Sequence, residues 1–337
     1  MRSIALLAGL LASLALAASP AGAHRHPVHL PRGTVWVTDK NPTGSVAAFD
    51  ARSGELRGIV AVGSTPIGIV APRGTDEVYV SNEGSNTMSV IDRHSLQVVR
   101  TIPMSSKPHH LIASRDGRFV YVGEFGQNSI GVIDTRTGDV RHYVTGAPGA
   151  LTHAVFVSRD GHTLYATNAG TANEIVALDA RTGAALWSLP IGSNPSEILV
   201  TDDESTAYVS VRNENVVKVV DLRTRAIVAA VPIGTAPDTL RLTDDGRTLV
   251  VALRGTPAQI SLMSTCTLAV TAVPLNGSTT GHHWLSGNGR FSYVALVGPP
   301  TSGVVVVDNE TGQPAATWAY PSALSPHGVY YEHRELH

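Results

Sequence analysis

Short apolar runs alternate with small groups of polar and turn-forming residues along nearly the whole chain, and this alternation repeats at an almost constant spacing. The clearest marker is a pair of apolar residues closed by a polar residue, most often Asp, just before a turn. Successive copies begin 42, 42, 45, 42, 43 and 44 residues apart. The copies are Ala48-Phe49-Asp50, Val90-Ile91-Asp92, Val132-Ile133-Asp134, Ala177-Leu178-Asp179, Val219-Val220-Asp221, Leu262-Met263-Ser264 and Val306-Val307-Asp308.

Each period holds four short runs of this kind. Most periods contain an earlier phrase such as Tyr79-Val80-Ser81-Asn82, and before it a turn such as Asp116-Gly117. The β-branched and alternating residues predict strands, and the turn residues predict hairpins between them. Helical repeats are excluded because no apolar period of 3.6 residues is present. Four strands per period, seven times over, predict an all-β fold, a seven-bladed β-propeller of four-stranded antiparallel blades.

The two ends of the chain predict how the ring closes. The run at 34–38 matches the second strand of a blade, whereas the run at 326–331 matches a first strand and has no second strand after it. We therefore expect the C-terminal strand to pair with the N-terminal blade, which removes free sheet edges. The propeller should span 34–332, with an N-terminal tail at 24–33 and a C-terminal tail at 333–337.

The repeated phrases resemble those of the YVTN, or YncE-like, β-propeller family. The resemblance rests on Tyr79-Val80-Ser81-Asn82 and Tyr165-Ala166-Thr167-Asn168, on the apolar-Asp phrase that follows each, and on turns such as Thr135-Arg136-Thr137-Gly138. It spans nearly the whole predicted propeller. The resemblance implies the blade architecture and a non-catalytic binding or accessory role, whereas its motifs are structural and carry no chemistry of their own.

The N-terminus has the pattern of an export signal. Arg2 precedes an apolar run at 4–18 and the small residues Ala21-Gly22-Ala23, so we expect a signal peptide at 1–23. The run is too short to span a membrane comfortably, and the mature protein is expected to be periplasmic or secreted. A net charge of −2 provides no field that would attract nucleic acid. We expect a monomer with no membrane span and no nucleic-acid partner.

The starts of the predicted first strands differ from blade to blade. Because neighbouring strands are antiparallel, the blade-to-blade crossings and the second-to-third loops must share one face of the ring. The turns on the other face are regular, and variable loops on a regular scaffold are where binding sites occur. The aligned first-strand starts are Pro66-Ile67-Gly68, Pro108-His109-His110, Thr152-His153-Ala154, Pro195-Ser196-Glu197, Pro237-Asp238-Thr239, Thr280-Gly281-His282 and Pro326-His327-Gly328.

Histidines are concentrated at these starts. The 14 histidines of the chain would place about 0.6 residue by chance in the fourteen positions that follow the first residue of each start, and five histidines occupy them. First strands line the channel of a propeller, so these side chains should converge at its mouth. His109, His153 and His327 take equivalent positions and are the predicted metal ligands. His110 and His282 are predicted to bind a ligand beside them.

Charged residues are expected to complete this site. Glu197 and Asp238 belong to the same ring of strand starts, and Glu124, Arg212 and Arg254 come from second-to-third loops on the same face. The carboxylates could bind a metal or orient the imidazoles. The arginines could bind a carboxylate or a phosphate.

Two further residues are expected to be structural. His283 aligns with the apolar Leu111 of another blade and should be a buried histidine. Cys266 sits in a strand-like stretch and should be a small core residue. Because it is the single cysteine, an intrachain disulfide and a cysteine-based zinc site are both excluded.

Converging imidazoles can bind copper, iron or zinc, act as general acids or bases, or remain hydrated in a polar channel. One function class is therefore an exported binding or accessory propeller that captures a metal, a small-molecule ligand or a partner protein at the channel face. The other is a metal- or haem-dependent periplasmic enzyme, either an oxidoreductase or a lyase or lactonase. Propellers of the nitrite reductase and nitrous oxide reductase types are similar in the position of their histidines. Any haem would be non-covalent, since the chain lacks a Cys-x-x-Cys-His motif.

Overall fold

The computed structural model describes residues 29–299, 302–320 and 325–333. Within them the chain forms 28 β-strands and one short 3₁₀ helix at Arg212–Glu214. The predicted signal peptide at 1–23 lies outside the described residues, as do parts of both predicted tails. No helix in the described ranges is long and apolar enough to cross a membrane.

The strands form seven antiparallel sheets of four strands, and each sheet is one blade. Blade 1 consists of β1 (Thr34–Asp39), β2 (Ser45–Asp50), β3 (Leu56–Ala61) and, from the C-terminal end, β28 (Pro326–Glu332). Blade 2 consists of β4 (Pro66–Val70), β5 (Glu77–Asn82), β6 (Thr87–Asp92) and β7 (Gln97–Pro103). Blade 3 consists of β8 (Pro108–Ala113), β9 (Phe119–Glu124), β10 (Ser129–Asp134) and β11 (Val140–Val144).

The remaining blades follow the chain in order from their first to their fourth strand. Blade 4 consists of β12 (Ala150–Val157), β13 (Thr163–Gly170), β14 (Glu174–Asp179) and β15 (Ala185–Pro190). Blade 5 consists of β16 (Pro195–Val200), β17 (Thr206–Val211), β18 (Val216–Asp221) and β19 (Ala226–Pro232). Blade 6 consists of β20 (Pro237–Leu242), β21 (Thr248–Leu253), β22 (Gln259–Ser264) and β23 (Val270–Pro274). Blade 7 consists of β24 (Thr279–Leu285), β25 (Phe291–Val297), β26 (Gly303–Asp308) and β27 (Gln313–Ala319).

The seven-bladed propeller and its closure are confirmed. Strand β28 pairs antiparallel with β1, and Val329 lies opposite Val37 while Glu332 lies opposite Thr34. The last strand of the chain is therefore the innermost strand of the blade that the N-terminus begins. This pairing supplies β1 with a partner on the channel side and completes the four strands of blade 1.

The core lies between neighbouring blades. Trp36 on β1 is fully buried and belongs to the same apolar cluster as Val78 and Val80 on β5 of the next blade. The fourth strands face solvent instead, and side chains such as Val144 and Leu186 are 65% and 53% exposed. The rigid part of each blade is thus its inner three strands, which hold the channel residues in place.

The expectation for Cys266 was wrong. Its side chain is exposed, in the turn between β22 and β23. Strand β22 ends at Ser264, and the backbone N–H of Leu268 donates to the Ser264 carbonyl at 2.9 Å to close that turn. The turn around Cys266 begins with Ser264, whereas the corresponding turn of every other blade begins with Asp. Without that turn signal, the sequence around Cys266 resembled a strand.

Candidate functional site

Every first strand carries a β-bulge near the channel mouth. In blade 3, Pro108 pairs with Glu124 and Leu111 pairs with Val122, so two residues of β8 lie opposite one residue of β9. A bulge of this kind re-aims side chains that would otherwise point to opposite faces. The bulge positions are Ile67-Gly68, His109-His110, His153, Ser196-Glu197, Asp238-Thr239, Gly281-His282 and His327-Gly328.

The bulges arrange the channel residues in two layers. Residues at the first bulge position, among them His109, His153, Asp238 and His327, line a cavity of about 210 Å³ that we call the mouth cavity. Residues at the second position line a different cavity of about 230 Å³, which we call the inner cavity. Those second-position residues are Gly68, His110, Glu197, Thr239, His282 and Gly328.

Glycine at the second bulge position allows the backbones of adjacent first strands to come close together. A Cβ on Gly328 would lie 2.1 Å from the carbonyl oxygen of Ile67. A Cβ on Gly68 would lie 2.8 Å from the carbonyl oxygen of His109. Both distances are too short for a side chain, so only glycine fits where these backbones approach each other.

Five imidazole rings form a continuous row across the channel. The ring centroids are 4.3 Å apart between His327 and His282 and 4.4 Å apart between His282 and His110. The row continues to His153 at 4.6 Å and from there to His109 at 4.4 Å. All five side chains are buried. The histidine cluster that the sequence predicted is therefore present, with contributions from blades 1, 3, 4 and 7.

Hydrogen bonds set the tautomer of two rings. His153 Nδ1 lies 2.8 Å from the carbonyl oxygen of Ser196 and must donate to it, so His153 Nε2 keeps its lone pair. Arg254 Nη1 lies 2.9 Å from His327 Nδ1 and must donate to it. The lone pair of His327 Nδ1 is therefore already used, and its Nε2 carries the proton.

Three other ring nitrogens in the row are buried without a hydrogen-bond partner. These atoms are His109 Nδ1, His110 Nε2 and His282 Nε2. Buried polar atoms are nearly always hydrogen-bonded, so unpaired ones in a cluster indicate a ligand. Two groups of potential metal-binding atoms lie within 4.8 Å of one another, His109, His110 and His153 in the first, and His110, Asp238 and His282 in the second. His327 is in neither group.

Burial keeps these imidazoles neutral. It lowers the pKa of His109, His110, His282 and His327 well below the ordinary value, and neighbouring cationic groups lower it further. Burial likewise lowers the pKa of His153 to about 4. A neutral imidazole offers a lone pair, so the unprotonated nitrogens are in the form that a metal ion requires.

Asp238 is ionised and already paired. Burial opposes its ionisation, but the charges of Arg212 and Arg254, together with the nearby imidazole of His282, outweigh burial and hold its pKa well below the ordinary value. Arg212 Nη2 donates to Asp238 Oδ1 at 2.5 Å, and Ser196 Oγ donates to the same oxygen at 2.5 Å. Arg254 Nε lies 3.9 Å from Asp238 Oδ2. The two loop arginines that the sequence singled out therefore meet this carboxylate at the mouth cavity.

Glu197 is paired in the inner layer. Arg241 Nη1 donates to Glu197 Oε1 at 2.8 Å, and the backbone N–H of Leu240 donates to Oε2 at 2.6 Å. Burial raises the pKa of Glu197, and the Arg241 guanidinium offsets only part of that effect. His110 Nδ1 is 3.9 Å from Glu197 Oε1.

Glu124 lies apart from the histidine cluster. Its fully buried carboxylate accepts hydrogen bonds from Ser105 N at 2.9 Å, Gln127 Nε2 at 3.1 Å and His142 Nδ1 at 2.9 Å. The next residue, Phe125, faces the channel instead and contacts the rings of His109 and His153 at centroid distances of 5.2 and 5.1 Å. Because successive strand residues point to opposite faces, Glu124 and Phe125 lie on opposite sides of the chain at the end of β9.

Lys40 and Phe125 line the mouth cavity but were not singled out from the sequence. A positional signal could have found them, because each is the first residue after the second strand of its blade. The same position holds Glu83, Arg212 and Arg254 in other blades, and all five line the mouth cavity. Lys40 Nζ lies 3.7 Å from Glu83 Oε2, and burial lowers the pKa of Lys40.

His283 is fully buried, as expected from its alignment with Leu111. Its Nδ1 lies 2.8 Å from Thr239 Oγ1 of the neighbouring blade. It belongs to neither group of potential metal-binding atoms among the described residues. Its contacts are therefore those of a core histidine that links blades 6 and 7.

Solved structures with the same fold include a hydrazine synthase chain from Kuenenia stuttgartiensis, with a TM-score of 0.70 and 21% identity over 86% of this chain and 99% of that one. The periplasmic gluconolactonase PpgL from Pseudomonas aeruginosa has a TM-score of 0.70 and 19% identity over 89% and 98% of the two chains. The dihydro-haem d1 dehydrogenase NirN, in complex with DHE, has a TM-score of 0.62 and 16% identity over 94% and 78%. At these identities the similarity concerns the fold alone.

Comparison with curated protein sequences gives no match. The family model described as outer membrane protein assembly factor BamB matches residues 42–264. The narrower YVTN or YncE-like assignment stays a prediction. Because the match covers more than half of the chain, the protein belongs to the outer membrane protein assembly factor BamB family.

Proposed function

We propose that this protein is an exported propeller that binds a transition-metal ion through His109, His110 and His153 at the channel mouth. The observation that carries the proposal is the pair of buried, unpaired nitrogens, His109 Nδ1 and His110 Nε2, beside a third imidazole. In His153 the Ser196 carbonyl holds the proton on Nδ1, so Nε2 is the donor atom left for a metal.

The three imidazoles fit the needs of such an ion. Their ligand atoms lie within 4.8 Å of one another. A tetrahedral ion at about 2.0–2.1 Å from each nitrogen needs nitrogen separations of roughly 3.3–3.4 Å, which fall within that limit. Three neutral imidazoles suit zinc, copper or iron.

The second group is the weaker metal site because Asp238 is already engaged. Arg212 and Ser196 both donate to Asp238 Oδ1, and a metal would have to share that carboxylate with two arginines. A non-covalent haem is also a poor fit. The mouth cavity, at about 210 Å³, is below the roughly 300–1,000 Å³ of sites for drug-sized organic ligands.

Export is part of the same proposal. It is supported by the signal-like pattern at 1–23, by membership of a family described as an outer membrane assembly factor and by a fold shared with a periplasmic gluconolactonase. The propeller is proposed to act as a monomer that presents the mouth cavity to a small ligand or a partner protein.

Metal binding is testable with the untagged mature protein. In all proteins compared, His24 and His26 are replaced by Asn so that the N-terminus contributes no site. Isothermal titration of the metal-free protein with Zn²⁺ should show one site. The His110→Asn and His153→Asn variants should each weaken binding by more than the roughly 100-fold that loss of an outer-shell partner costs at most.

Two control variants show whether the loss is specific. His162→Asn removes an exposed histidine on a turn of the opposite face and should bind Zn²⁺ as the parent does. His282→Asn removes the second group and should also leave binding unchanged. If the parent binds no Zn²⁺, or if His110→Asn binds it equally well, the proposed function is wrong.

A metal-dependent enzyme is the second candidate, and the charge of the mouth cavity favours it. The cavity is lined by three basic side chains, those of Lys40, Arg212 and Arg254, and by two carboxylates, those of Glu83 and Asp238. The basic groups outnumber the acidic ones, which leaves an excess of positive charge beside the proposed metal site. Such a site suits an anion or a developing oxyanion. A lactone offered to the Zn²⁺-loaded protein should be hydrolysed, and His110→Asn should abolish the reaction. Equal rates in the two proteins would reject this candidate.

A further inference from the structure

The inner cavity lies on the far side of the histidine row from the mouth. Its volume is about 230 Å³, well above the roughly 30 Å³ share of one water molecule in the liquid. It is also smaller than a site for a drug-sized ligand, which measures about 300–1,000 Å³. Its walls are mainly apolar and include Ile69, Leu111, Val155, Phe156, Leu199 and Val329. The cavity thus has the size and lining of a site for a small, largely apolar molecule.

Few polar side chains line this space, and three of them, His110, His282 and Arg241, carry a nitrogen without a hydrogen-bond partner. His110 Nε2 is assigned to the metal site proposed above, which leaves the other two. His282 is 6% exposed, and its Nε2 makes no hydrogen bond. Arg241 Nε is also buried without a partner. Neither atom is used by the metal site proposed above, which rests on His109, His110 and His153. His282 Nε2 lies 3.8 Å from Asp238 Oδ2, which is too far for a hydrogen bond. A ligand that reaches these two atoms would therefore satisfy one imidazole nitrogen and one N–H donor that lack hydrogen-bond partners.

The charges around the cavity are balanced within the protein. Arg241 forms an ion pair with Glu197, with 2.8 Å between Nη1 and Oε1. The same guanidinium lies over the ring of Trp284, 4.1 Å from its centroid. Burying an ion here would add an uncompensated charge, so a neutral ligand is favoured. A hydroxyl group can both donate and accept, and it can therefore satisfy an imidazole nitrogen in either tautomer as well as Arg241 Nε.

We propose that the inner cavity is a second binding site, for a small neutral molecule that has one apolar ring and one hydroxyl group, that is, a phenol. The ring lies among the apolar walls and beside Phe156, and the hydroxyl lies at His282 and Arg241. The site shares His110 in its lining with the proposed metal site, but the partners of the hydroxyl, His282 and Arg241, are not among the three proposed metal ligands. It differs from the mouth cavity in its lining, its charge and the face from which it is reached.

Arg241 and Trp284 separate the inner cavity from the opposite face of the ring. Both residues also line a depression of about 760 Å³ on that face. Trp284 contacts Tyr330 there, with ring centroids 4.7 Å apart. A ligand would enter through this aromatic constriction, whereas a metal ion would enter through the mouth.

Phenol and toluene form a matched pair of probes because they have nearly the same shape and only phenol carries a hydroxyl. In ligand-detected NMR titrations of the metal-free mature protein, we expect phenol to bind about tenfold more tightly than toluene, which corresponds to one net hydrogen bond. The His282→Leu variant should reduce phenol affinity to that of toluene and leave toluene affinity unchanged. A general structural defect would weaken both.

A cavity-filling variant tests the location. Ile112 lines the inner cavity and is only partly buried, so Ile112→Phe should block both probes while Zn²⁺ binding stays at the parent level. His153→Asn should lose Zn²⁺ binding and keep phenol binding, which separates this proposal from the proposed function. The inference is overturned if phenol does not bind, if toluene binds equally well, or if phenol binding survives Ile112→Phe.

Discussion

Replacing Arg93 by Ala is expected to lower the free energy of unfolding by about 3–5 kcal/mol, because it would strand a buried carboxylate. Arg93 Nη1 donates to Glu332 Oε1 at 2.7 Å, and the two side chains are only 4% and 10% exposed. Glu332 Oε2 also accepts a hydrogen bond from Trp36 Nε1 at 3.2 Å. Glu332 is the last residue of the closing strand β28, and Arg93 follows β6 of the adjacent blade. The ion pair therefore fastens the C-terminal strand to blade 2, and the hydrogen bond from Trp36 fastens the same residue to β1.

The measurement is urea unfolding of the mature protein at neutral pH. The control is Arg115→Ala, which removes a pair between Arg115 Nη2 and Asp202 Oδ1 at 3.3 Å. The two side chains are 56% and 69% exposed, and pairs of exposed side chains contribute about 0–1 kcal/mol. If Arg93→Ala is no more destabilising than this control, the ion pair does not fasten the ring.

Acidification from pH 6.5 to pH 4 should destabilise the metal-free protein, and His153 alone should account for about 3 kcal/mol of the loss. Burial lowers the pKa of His153 from 6.5 to about 4. Between these values the unfolded chain binds a proton that the folded protein does not, so stability falls as the pH decreases. The contribution is fully present above pH 6.5, and acid removes it over this window.

The two carboxylates Asp50 and Asp160 affect stability at lower pH than His153 does. Hydrogen bonds and partner charges outweigh burial and lower the pKa of Asp50 to about 2, and hydrogen bonds to Ser158 and His162 lower that of Asp160 to about 2. Their effects begin only below the ordinary value of 3.8.

The pH dependence of the urea midpoint should therefore be shallower in His153→Asn than in the parent between pH 6.5 and 4. The exposed-site control His162→Asn should retain the parent slope. Identical slopes in the parent and in His153→Asn would show that His153 is protonated in the folded state.

The repeat made the fold readable from the sequence. Seven copies of an apolar pair closed by a polar residue could only be accommodated by identical units that pack side by side, as Trp36 and Val80 do across blades 1 and 2. The closure was also readable, because β1 lacked a first strand and β28 lacked a second. Cys266 was misjudged because a turn without Asp or Gly has no local signal that separates it from a strand.

The histidine cluster was predictable only as a set of equivalent positions. Alignment of the seven first-strand starts identified the residues, since equivalent positions in a closed ring face the same axis. It could not separate Glu124 from Phe125, because one residue decides which face of β9 a side chain takes and the local pattern did not mark the boundary. Lys40 was missed because its loop was not aligned with those that carry Arg212 and Arg254.

The amino-acid sequence by itself thus determined which residues meet at the channel, because the repeat period sets the number of blades and the position of every strand. Only the tertiary structure decided what each of them does there. The bulges divided the ring into two layers, and contacts across blades assigned the protons. The Ser196 carbonyl leaves a lone pair on His153, whereas Arg254 occupies the lone pair of His327. Those partners lie 43 and 73 residues away in the chain, so no local pattern could have identified them.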